Sequence, residues 1–257
     1  MTKDSFTYRQ RVYGKYASLF KGEAALFDRA WAQMFVRTYS HHLRGWFPAG
    51  KDARIVDLGC GSGRLLYLFK ALGYSDIHGV DISPEQVALA RQVVTDVVEG
   101  DIAEYLDGHV AAFDLITAID LIEHLTKSEA ARMLEKCFAS LRPGGRLIIQ
   151  TPNGDSPFVG AVRYGDFSHE LCLTPRSLSY LLRLSGFEGV EPREQGPVRH
   201  GVVSTVRWCL WRLARLKLKA FNAIETGSGG SGILTRVFIT SARKPDGPAP
   251  AVGGESP

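Results

Sequence analysis

The stretch Val56-Asp-Leu-Gly-Cys-Gly-Ser-Gly63 decides the fold of this 257-residue chain. It overlaps an apolar run over residues 54–58, typical of a buried strand, and precedes an amphipathic segment over 64–72. Three glycines between a strand and a helix allow a tight turn with a close backbone approach. The spacing is G-x-G-x-G, since Arg64 stands where a dinucleotide-binding turn needs its third glycine. Asp57 would repel a pyrophosphate and attract a cationic ligand.

Short apolar runs and helical segments alternate after this turn, which is the pattern of βαβ units around a parallel sheet. Ser83 and Thr174 are predicted helix caps, because each precedes a proline suited to the first helical position. Strands are predicted at residues 54–58, 76–81, 97–99, 113–118 and 146–151, with a final pair at 187–191 and 233–242.

The chain divides into regions of different composition, and the first and third are expected to wall a substrate cleft. They are a helical cap over 1–50 with helices at 8–20 and 24–43, a core over 51–192, a basic helical insertion over 193–232, a final strand over 233–244, and a disordered Pro- and Gly-rich tail over 245–257.

Composition places the chain among globular proteins, with the cytoplasm as the expected location. Hydrophobic residues make up 45% and charged residues 23%, and no apolar run reaches the ~18 residues that span a bilayer. Four cysteines without C-x-x-C spacing argue against a zinc ribbon or a redox motif. The N-terminus lacks the apolar segment of a secretory signal, and a net charge of +4 is too small to indicate nucleic-acid binding.

Acidic residues follow the predicted strands where an open α/β sheet binds its ligand. Asp81 ends the second strand, where its carboxylate can accept hydrogen bonds from both hydroxyls of a ribose. Asp101 follows the third strand, and Asp120-Leu-Ile-Glu-His-Leu125 follows the fourth. Taken alone, Asp81 could be a solvated carboxylate and Asp101 could simply cap the next turn.

Together these motifs resemble those of the class I S-adenosylmethionine-dependent methyltransferases. The resemblance covers roughly residues 50–155 and rests on the glycine turn, Gly79-Val-Asp-Ile-Ser83, Gly100-Asp-Ile102, the run from Phe113 to Leu125, and Leu141-Arg-Pro-Gly-Gly145. It implies an α/β fold with a Rossmann-like seven-stranded sheet, helices on both faces and an antiparallel last strand. It also implies S-adenosyl-L-methionine as cofactor, whose sulfonium and ammonium groups favour carboxylates over a phosphate-binding nest.

The resemblance assigns each part of the cofactor to particular residues of this chain. Asp120 and Leu121 line the sulfonium side. Asp101 accepts a hydrogen bond from the adenine amino group, and Ile102 packs on the adenine ring. The methionine part is held by Asp57, Gly59, Cys60, Gly61 and Gly63, and the ribose by Asp81 beside Ile82. Cys60 is interpreted as a small loop residue without a redox role. Tyr8, Tyr13 and Tyr16 are candidates for closing this site.

An oxygen acceptor usually needs a base close to the transferred methyl group, and two histidines are candidates. His169 lies in a loop after the fifth strand. If it is not the base or an acceptor ligand, it orders that loop. His124 follows the fourth strand. If it is not the base, it is structural or faces the cofactor. Asp166, His169 and Glu170 are conceivable metal ligands, but their spacing is local and no metal is expected.

A narrower resemblance concerns the acceptor. Asp166-x-x-His169, followed by Leu173-Thr-Pro-x-Ser-Leu178, is similar to bacterial methyltransferases of glycan and lipid-linked sugar pathways, and more distantly to those of ubiquinone biosynthesis. It implies O-methylation of a glycan, lipid-linked sugar or similar acceptor. The alternatives are a small-molecule O- or N-methyltransferase of quinone or natural-product type, and a binding module that transfers nothing. A DNA amino-methyltransferase is disfavoured, because Asp120-Leu-Ile-Glu123 replaces the expected Pro-Pro-aromatic motif.

The insertion contains a basic amphipathic segment over residues 207–221. At helical spacing, Trp208 and the basic residues Arg212, Arg215 and Lys219 share one side. The other side holds Leu210, Leu213, Ala214, Ala220 and Phe221, interrupted by Lys217. Attachment to an anionic membrane surface at the inner face of the membrane, an acceptor lid, and an ordinary packed helix all remain open.

Overall fold

The computed structural model describes residues 26–247 together with Val12, Tyr13, Lys15 and Ser18. The described residues form a seven-stranded sheet in the order β3-β2-β1-β4-β5-β7-β6. The strands are β1 (Ile55–Leu58), β2 (Ile77–Asp81), β3 (Val97–Glu99), β4 (Phe113–Ile119), β5 (Leu141–Pro152), β6 (Glu188–Glu194) and β7 (Val237–Arg243). Strands β1 to β5 are parallel, and β7 is antiparallel to both β5 and β6. The predicted fold is confirmed.

Helices cover both faces of the sheet, and each face has its own hydrophobic core. The helices are α1 (Arg29–His42), α2 (Arg64–Ala71), α3 (Pro84–Ala90), α4 (Ile102–Asp107), α5 (Lys127–Ser140), α6 (Gly160–Arg163), α7 (Pro175–Leu184) and α8 (Val202–Thr226). Along β5, Leu147 and Ile149 face one core and Ile148 faces the other. Burial on both faces explains why the parallel strands are continuous apolar runs in the sequence.

Local hydrogen bonds shift two predicted boundaries at the ends of the chain. The helix predicted from residue 24 begins at Arg29, because Asp28 accepts a hydrogen bond from the Trp31 amide as its N-cap. The last strand was predicted from residue 233 and begins at Val237, because Asn153 Nδ2 donates to the carbonyls of Ile233 and Thr235. The predicted helix over 8–20, apart from four positions, and the tail from residue 248 lie outside the described residues.

Two further strands are longer than predicted. β5 begins at Leu141, five residues early, and a bulge in its pairing with β4 accommodates the Pro143-Gly-Gly turn. β6 runs to Glu194, because its residues up to that point pair with β7. The extension brings Glu194 close to Arg215, in the middle of α8.

Helix α8 extends the predicted 207–221 segment at both ends and turns its basic side towards the domain. Arg215 forms an ion pair with Glu194 at an Nη1–Oε2 distance of 3.3 Å, and its guanidinium also donates to the carbonyl of Gly232. The apolar side is exposed, with Leu213 60% and Phe221 70% accessible. None of the helices in the described part of the chain has both the length and the apolar character needed to cross a bilayer.

Candidate active site

A cavity of about 550 Å³ opens where the parallel strands end, between the sheet and α1. The strand order places the carboxyl ends of β1, β2, β3 and β4 along one edge, where open α/β sheets bind ligands. Ten of the eleven residues predicted to bind the cofactor line this cavity. They are Asp57, Gly59, Cys60, Gly61, Asp81, Ile82, Asp101, Ile102, Asp120 and Leu121.

The glycine turn after β1 forms one wall, and two of its glycines have no room for a side chain. Gly59 has φ +63°, and an added Cβ would lie 2.9 Å from Leu121 Cδ1. Gly63, the eleventh predicted residue, has φ +85° and packs under α3, where an added Cβ would lie 2.9 Å from the Cα of Ala90. Gly63 therefore serves helix packing, and Gly59 brings the backbone close to the cavity.

Asp81 is fixed at the end of β2 by two backbone amides. Its Oδ2 accepts from Gly61 N and its Oδ1 accepts from Ser83 N, each at 2.8 Å. A carboxylate oxygen can accept more than one hydrogen bond, so the group can also accept from a ligand in the cavity. Ser83 is the N-cap of α3 as predicted, but its side chain makes no capping hydrogen bond.

Asp57 lies beneath the turn and is 3% exposed. Burial raises the pKa of Asp57 to about 7, and the nearby Asp81 charge adds to this, while a 2.7 Å hydrogen bond from Thr117 Oγ1 opposes it. Burial likewise raises the pKa of the Cys60 thiol well above its usual value. A buried thiol in its neutral form is unreactive, which fits the interpretation of Cys60 as a loop residue.

Asp101 both caps a helix and lines the cavity. Its Oδ1 accepts from the amides of Ala103 and Glu104, at 2.7 and 3.1 Å, as the N-cap of α4. Ile102, the first residue of α4, lines the cavity beside it. The capping role and the predicted ligand-facing role are therefore compatible.

Asp120 directly follows β4 and has an unusual backbone conformation, with φ +52° at a residue other than glycine. Its Oδ1 accepts from Gln150 Nε2 at 2.8 Å. Gln150 Oε1 in turn accepts from the Tyr39 hydroxyl at 2.7 Å and from Gln195 Nε2 at 2.6 Å. Burial, followed by the Asp120 charge, raises the pKa of Tyr39, so its hydroxyl stays a donor. Gln150 thus holds the Asp120 carboxylate, and Tyr39 and Gln195 hold Gln150; the sequence singled out none of the three.

The two predicted histidines lie together but differ in their access to the cavity. His124 lines the cavity, and the Tyr13 ring lies 6.2 Å from it, edge to face. The His169 side chain is 8% exposed and packs against the His124 ring at 4.7 Å. Among the described lining residues, His124 is present and His169 is not. Tyr13 lines the cavity, and Tyr8 and Tyr16 lie outside the described residues.

A family model described as a methyltransferase domain matches residues 30–191. The chain belongs to the class I methyltransferases. The ubiquinone biosynthesis O-methyltransferase of Xanthomonas axonopodis pv. citri is 31% identical over 112 residues, which cover 41% of this chain and 45% of that protein. The enzyme of the same description from Pectobacterium atrosepticum is 26% identical over 39% of this chain and 43% of that protein. The matched part of this chain thus spans less than half the length of these curated relatives.

Solved structures share the fold of the methyltransferase at lower identity. A SAM-dependent methyltransferase from Archaeoglobus fulgidus superposes with a TM-score of 0.62 and 21% identity, over 93% of this chain and 99% of that one. Phosphoethanolamine N-methyltransferase 2 of Haemonchus contortus, in complex with S-adenosyl-L-methionine, gives a TM-score of 0.57 and 16% identity, over 91% of this chain and 60% of that one.

The residues that line the methyltransferase cavity fit the cofactor implied by the sequence. Four carboxylates, those of Asp57, Asp81, Asp101 and Asp120, face the space at the strand ends. Their negative charge complements a sulfonium and an ammonium group. The two amides that fix Asp81 preform a receptor for neighbouring hydroxyls, as on a ribose. The donor set therefore suits S-adenosylmethionine better than a pyrophosphate.

An aromatic wall of the methyltransferase cavity faces these carboxylates. Trp31, Phe35 and Tyr39 lie four residues apart on α1, with ring centroids 5.6 Å and 3.8 Å apart along the series. Met34 lines the cavity beside them, and the Arg64 guanidinium lies 3.7 Å from the Trp31 ring centroid. The four-residue spacing of the aromatic residues is the sequence signal that could have identified this wall.

Behind His124 lies a group of atoms that could hold a metal ion. Glu123, His124 and His169 offer ligand atoms that all lie within 4.8 Å of one another. Glu123 is buried, accepts a hydrogen bond from Thr151 Oγ1, and has its pKa raised by burial and by the charge of Asp120. The set of possible ligands in the sequence was Asp166, His169 and Glu170, which shares only His169 with this group. The experiments below therefore test for a metal ion.

Proposed function

We propose that the protein transfers the methyl group of S-adenosyl-L-methionine to a hydroxyl of a small molecule with a flat, apolar ring. The aromatic wall of α1 carries this proposal, since Trp31, Met34 and Phe35 line the cavity with apolar surface. A flat apolar ring packs well against aromatic side chains, including in edge-to-face contacts, whereas a sugar would turn several hydroxyls towards apolar groups. We therefore favour the quinone or natural-product type of acceptor over the glycan or lipid-linked sugar.

In this proposal each wall of the cavity has a separate task. When bound, the cofactor supplies a methyl group on a positively charged sulfur, which keeps the electron pair of the broken carbon–sulfur bond. Asp81 and Asp101 bind the nucleoside end, and Asp57 and Asp120 face the charged end. His124 receives the proton that the acceptor hydroxyl loses as its oxygen bonds to the methyl carbon. We assign the base to His124 rather than His169, because only His124 lines the described cavity.

The names of the relatives favour oxygen as the methylated atom. The matched Xanthomonas and Pectobacterium proteins are described as O-methyltransferases of ubiquinone biosynthesis. Labelled cofactor incubated with dihydroxybenzenes, and separately with monosaccharides and nucleotide sugars, tests the acceptor class. We expect label in the phenols only. Labelled sugars would restore the glycan prediction.

A variant of the aromatic wall sharpens this experiment. Phe35→Ala should raise the KM for the phenol about tenfold, since a stacked aromatic pair contributes about 0.5–1.5 kcal/mol beyond its buried area. Tyr180→Ala is the matched control, because Tyr180 is an exposed aromatic residue on α7. Tight cofactor binding without label in any phenol, sugar or bacterial extract would favour the non-catalytic binding module.

We further propose that α8 lies on an anionic membrane surface on the cytoplasmic side. Its exposed side carries Leu210, Leu213 and Phe221. The helix contains five basic residues and one acidic residue, Glu225, so its charge complements acidic headgroups. A basic amphipathic helix is typical of segments that lie in the membrane interface. An amphiphilic ring compound would meet the enzyme there.

Vesicle co-sedimentation tests the membrane proposal. We expect binding to vesicles with phosphatidylglycerol, weaker binding to pure phosphatidylcholine, and release by salt. Leu213→Glu should abolish binding, whereas Leu184→Glu, at an exposed leucine of α7, should leave it unchanged. Binding by Leu213→Glu equal to that of the wild type would contradict the proposal. Dimers in light scattering that dissociate in Leu213→Glu would instead assign the face to a second copy of this chain.

A further inference from the structure

The loop after β5 is fixed against the short turn that carries His124. Amides of Glu170 and Leu171 both donate to the carbonyl of Glu123, at 2.7 and 2.9 Å. Arg163 Nη1 donates to the carbonyl of His169 at 2.6 Å and closes the loop from its other side. These bonds hold the side chains of the loop in a defined position behind the imidazole of His124.

Within this loop the Ser168 hydroxyl lies between a carboxylate and an imidazole. Ser168 Oγ is 2.5 Å from Asp166 Oδ1 and 2.9 Å from His124 Nδ1. The Ser168 amide also donates to Asp166 Oδ1, at 2.9 Å, and fixes the carboxylate. Ser168 is buried, with 6% of its surface exposed, so water does not compete strongly for these bonds.

The chemistry of the three groups determines the direction of the hydrogen bonds. An ionised carboxylate only accepts, so the single hydroxyl proton of Ser168 goes to Asp166. The Ser168 oxygen then accepts from His124 Nδ1, which must carry the imidazole proton. Nε2 of His124 is consequently the nitrogen with the basic lone pair.

We propose that Asp166 and Ser168 are positioning residues that hold His124 in the tautomer with a basic Nε2. The inference rests on the proposed function, in which the hydroxyl proton of the acceptor moves to Nε2. The oxygen lone pair forms the bond to the methyl carbon, and the electron pair of the broken bond stays on sulfur. His124 then carries a positive charge, and its Nδ1–H bond leads through Ser168 to the Asp166 carboxylate, which stabilises that charge.

Other groups around His124 are consistent with this arrangement. Glu123 and Asp120 lie on the same turn and strand end, Asp166 and His169 face the imidazole from the loop, and Tyr13 faces it from the N-terminal segment. The Glu123 carboxylate accepts from Thr151 Oγ1 instead. Within the described residues, Asp166 is therefore the carboxylate that the hydrogen-bond chain connects to His124.

The tautomer itself can be measured without turnover, by ¹⁵N NMR of the full chain in EDTA. Signals that disappear in His124→Gln identify the imidazole. We expect Nδ1 protonated and Nε2 unprotonated in the wild type and in Ser168→Thr. Asp166→Asn should keep this tautomer and remove only the negative charge, because the oxygen that accepts from the Ser168 amide also accepts from the Ser168 hydroxyl. Ser168→Ala removes the acceptor for Nδ1–H, so the share of imidazole protonated at Nδ1 should fall in that variant. A wild-type spectrum with Nε2 protonated would overturn the proposal whether or not an acceptor is found.

Kinetics give the second readout. Asp166→Asn should lower kcat about 10²- to 10⁴-fold, the range of general-base catalysis, and leave the cofactor Kd within about twofold, which shows that the protein is folded. Ser168→Thr should retain most activity, and Asp155→Asn, at an exposed aspartate of the same connection, should retain all of it. Full activity in Asp166→Asn would overturn the proposal. Loss of wild-type activity in EDTA, with recovery in Mg²⁺ or Zn²⁺, would do so too, because His124 would then be a metal ligand.

Discussion

Replacing Asp57 by asparagine should stabilise the free protein and weaken its ligand binding. Burial raises the pKa of Asp57 from 3.8 to about 7. Between these values the folded state holds a proton that the unfolded state has lost, so the free energy of unfolding falls as pH rises towards 7. At about 1.36 kcal/mol per pKa unit, the loss reaches about 4 kcal/mol above pH 7 and only about 1.5 kcal/mol near pH 5.

Asparagine removes this loss, because its amide has no proton to release and its oxygen can still accept from Thr117. The free energy of unfolding from urea titration should therefore rise on Asp57→Asn by up to about 4 kcal/mol near pH 8, and by clearly less near pH 5. The affinity for the cationic cofactor should fall about tenfold or more at pH 8, since a charged hydrogen bond contributes about 1.5–3 kcal/mol.

The pH dependence of the stability change distinguishes the loss of the Asp57 charge from a general effect of substitution. Asp101→Asn is the matched control, since Asp101 is exposed and asparagine also caps helices, and its stability change should be small at both pH values. An Asp57→Asn variant that is less stable than the wild type near pH 8, or equally shifted at both pH values, would refute the argument.

Three further outcomes follow from the glycine turn and its surroundings. Asp81→Ala should weaken cofactor binding by about 1–3 kcal/mol in calorimetry, and an unchanged affinity would refute the ribose assignment. In urea titrations Gly73→Ala should lower the free energy of unfolding by about 1–2 kcal/mol, because its φ is near +85°. Gly63→Ala should lower it further, because Gly63 has a similar φ and also lacks space for a Cβ. A thiol reagent should modify exposed Cys209 in the folded protein and Cys60 only after unfolding, and rapid labelling of Cys60 would contradict its burial.

The sheet could be predicted because its determinants are local in the sequence. Each parallel strand is an apolar run of the right length, and turn residues separate it from a capped helix. The carboxylates at the strand ends could be placed for the same reason, since parallel strands bring their ends to one edge. Strand limits near residues 141 and 237 were wrong because pairing with neighbouring strands and the Asn153 hydrogen bonds set them.

The network around Asp120 could not be predicted because its members are far apart in the sequence. Tyr39, Gln150 and Gln195 come from α1, from β5 and from the segment after β6. The one local signal is Gln150, a polar residue within a buried apolar strand. Such a residue needs a partner, but the sequence does not say which one.

The orientation of α8 illustrates the same limit on a larger scale. Helical periodicity separated its basic side from its apolar side correctly, but either side could have faced the domain. Glu194 and the carbonyl of Gly232 determine the orientation of α8, because both bind Arg215 on its basic side. Leu213 and its neighbours on the apolar side are therefore exposed. Part of the positive charge of the insertion is thereby neutralised within the protein. The remaining basic residues and the exposed apolar side support the proposed membrane contact.

The carboxylates of the cavity share one electrostatic consequence. The charge of Asp81 raises the pKa of Asp57, and the charge of Asp120 raises the pKa of both Tyr39 and Glu123. Each group thus makes ionisation of its neighbour more costly when no positive charge is present. A cationic ligand removes this cost, so its binding and the ionisation of Asp57 favour each other. The arrangement that destabilises the free protein near neutral pH is therefore the one that gives the cavity its preference for a cation.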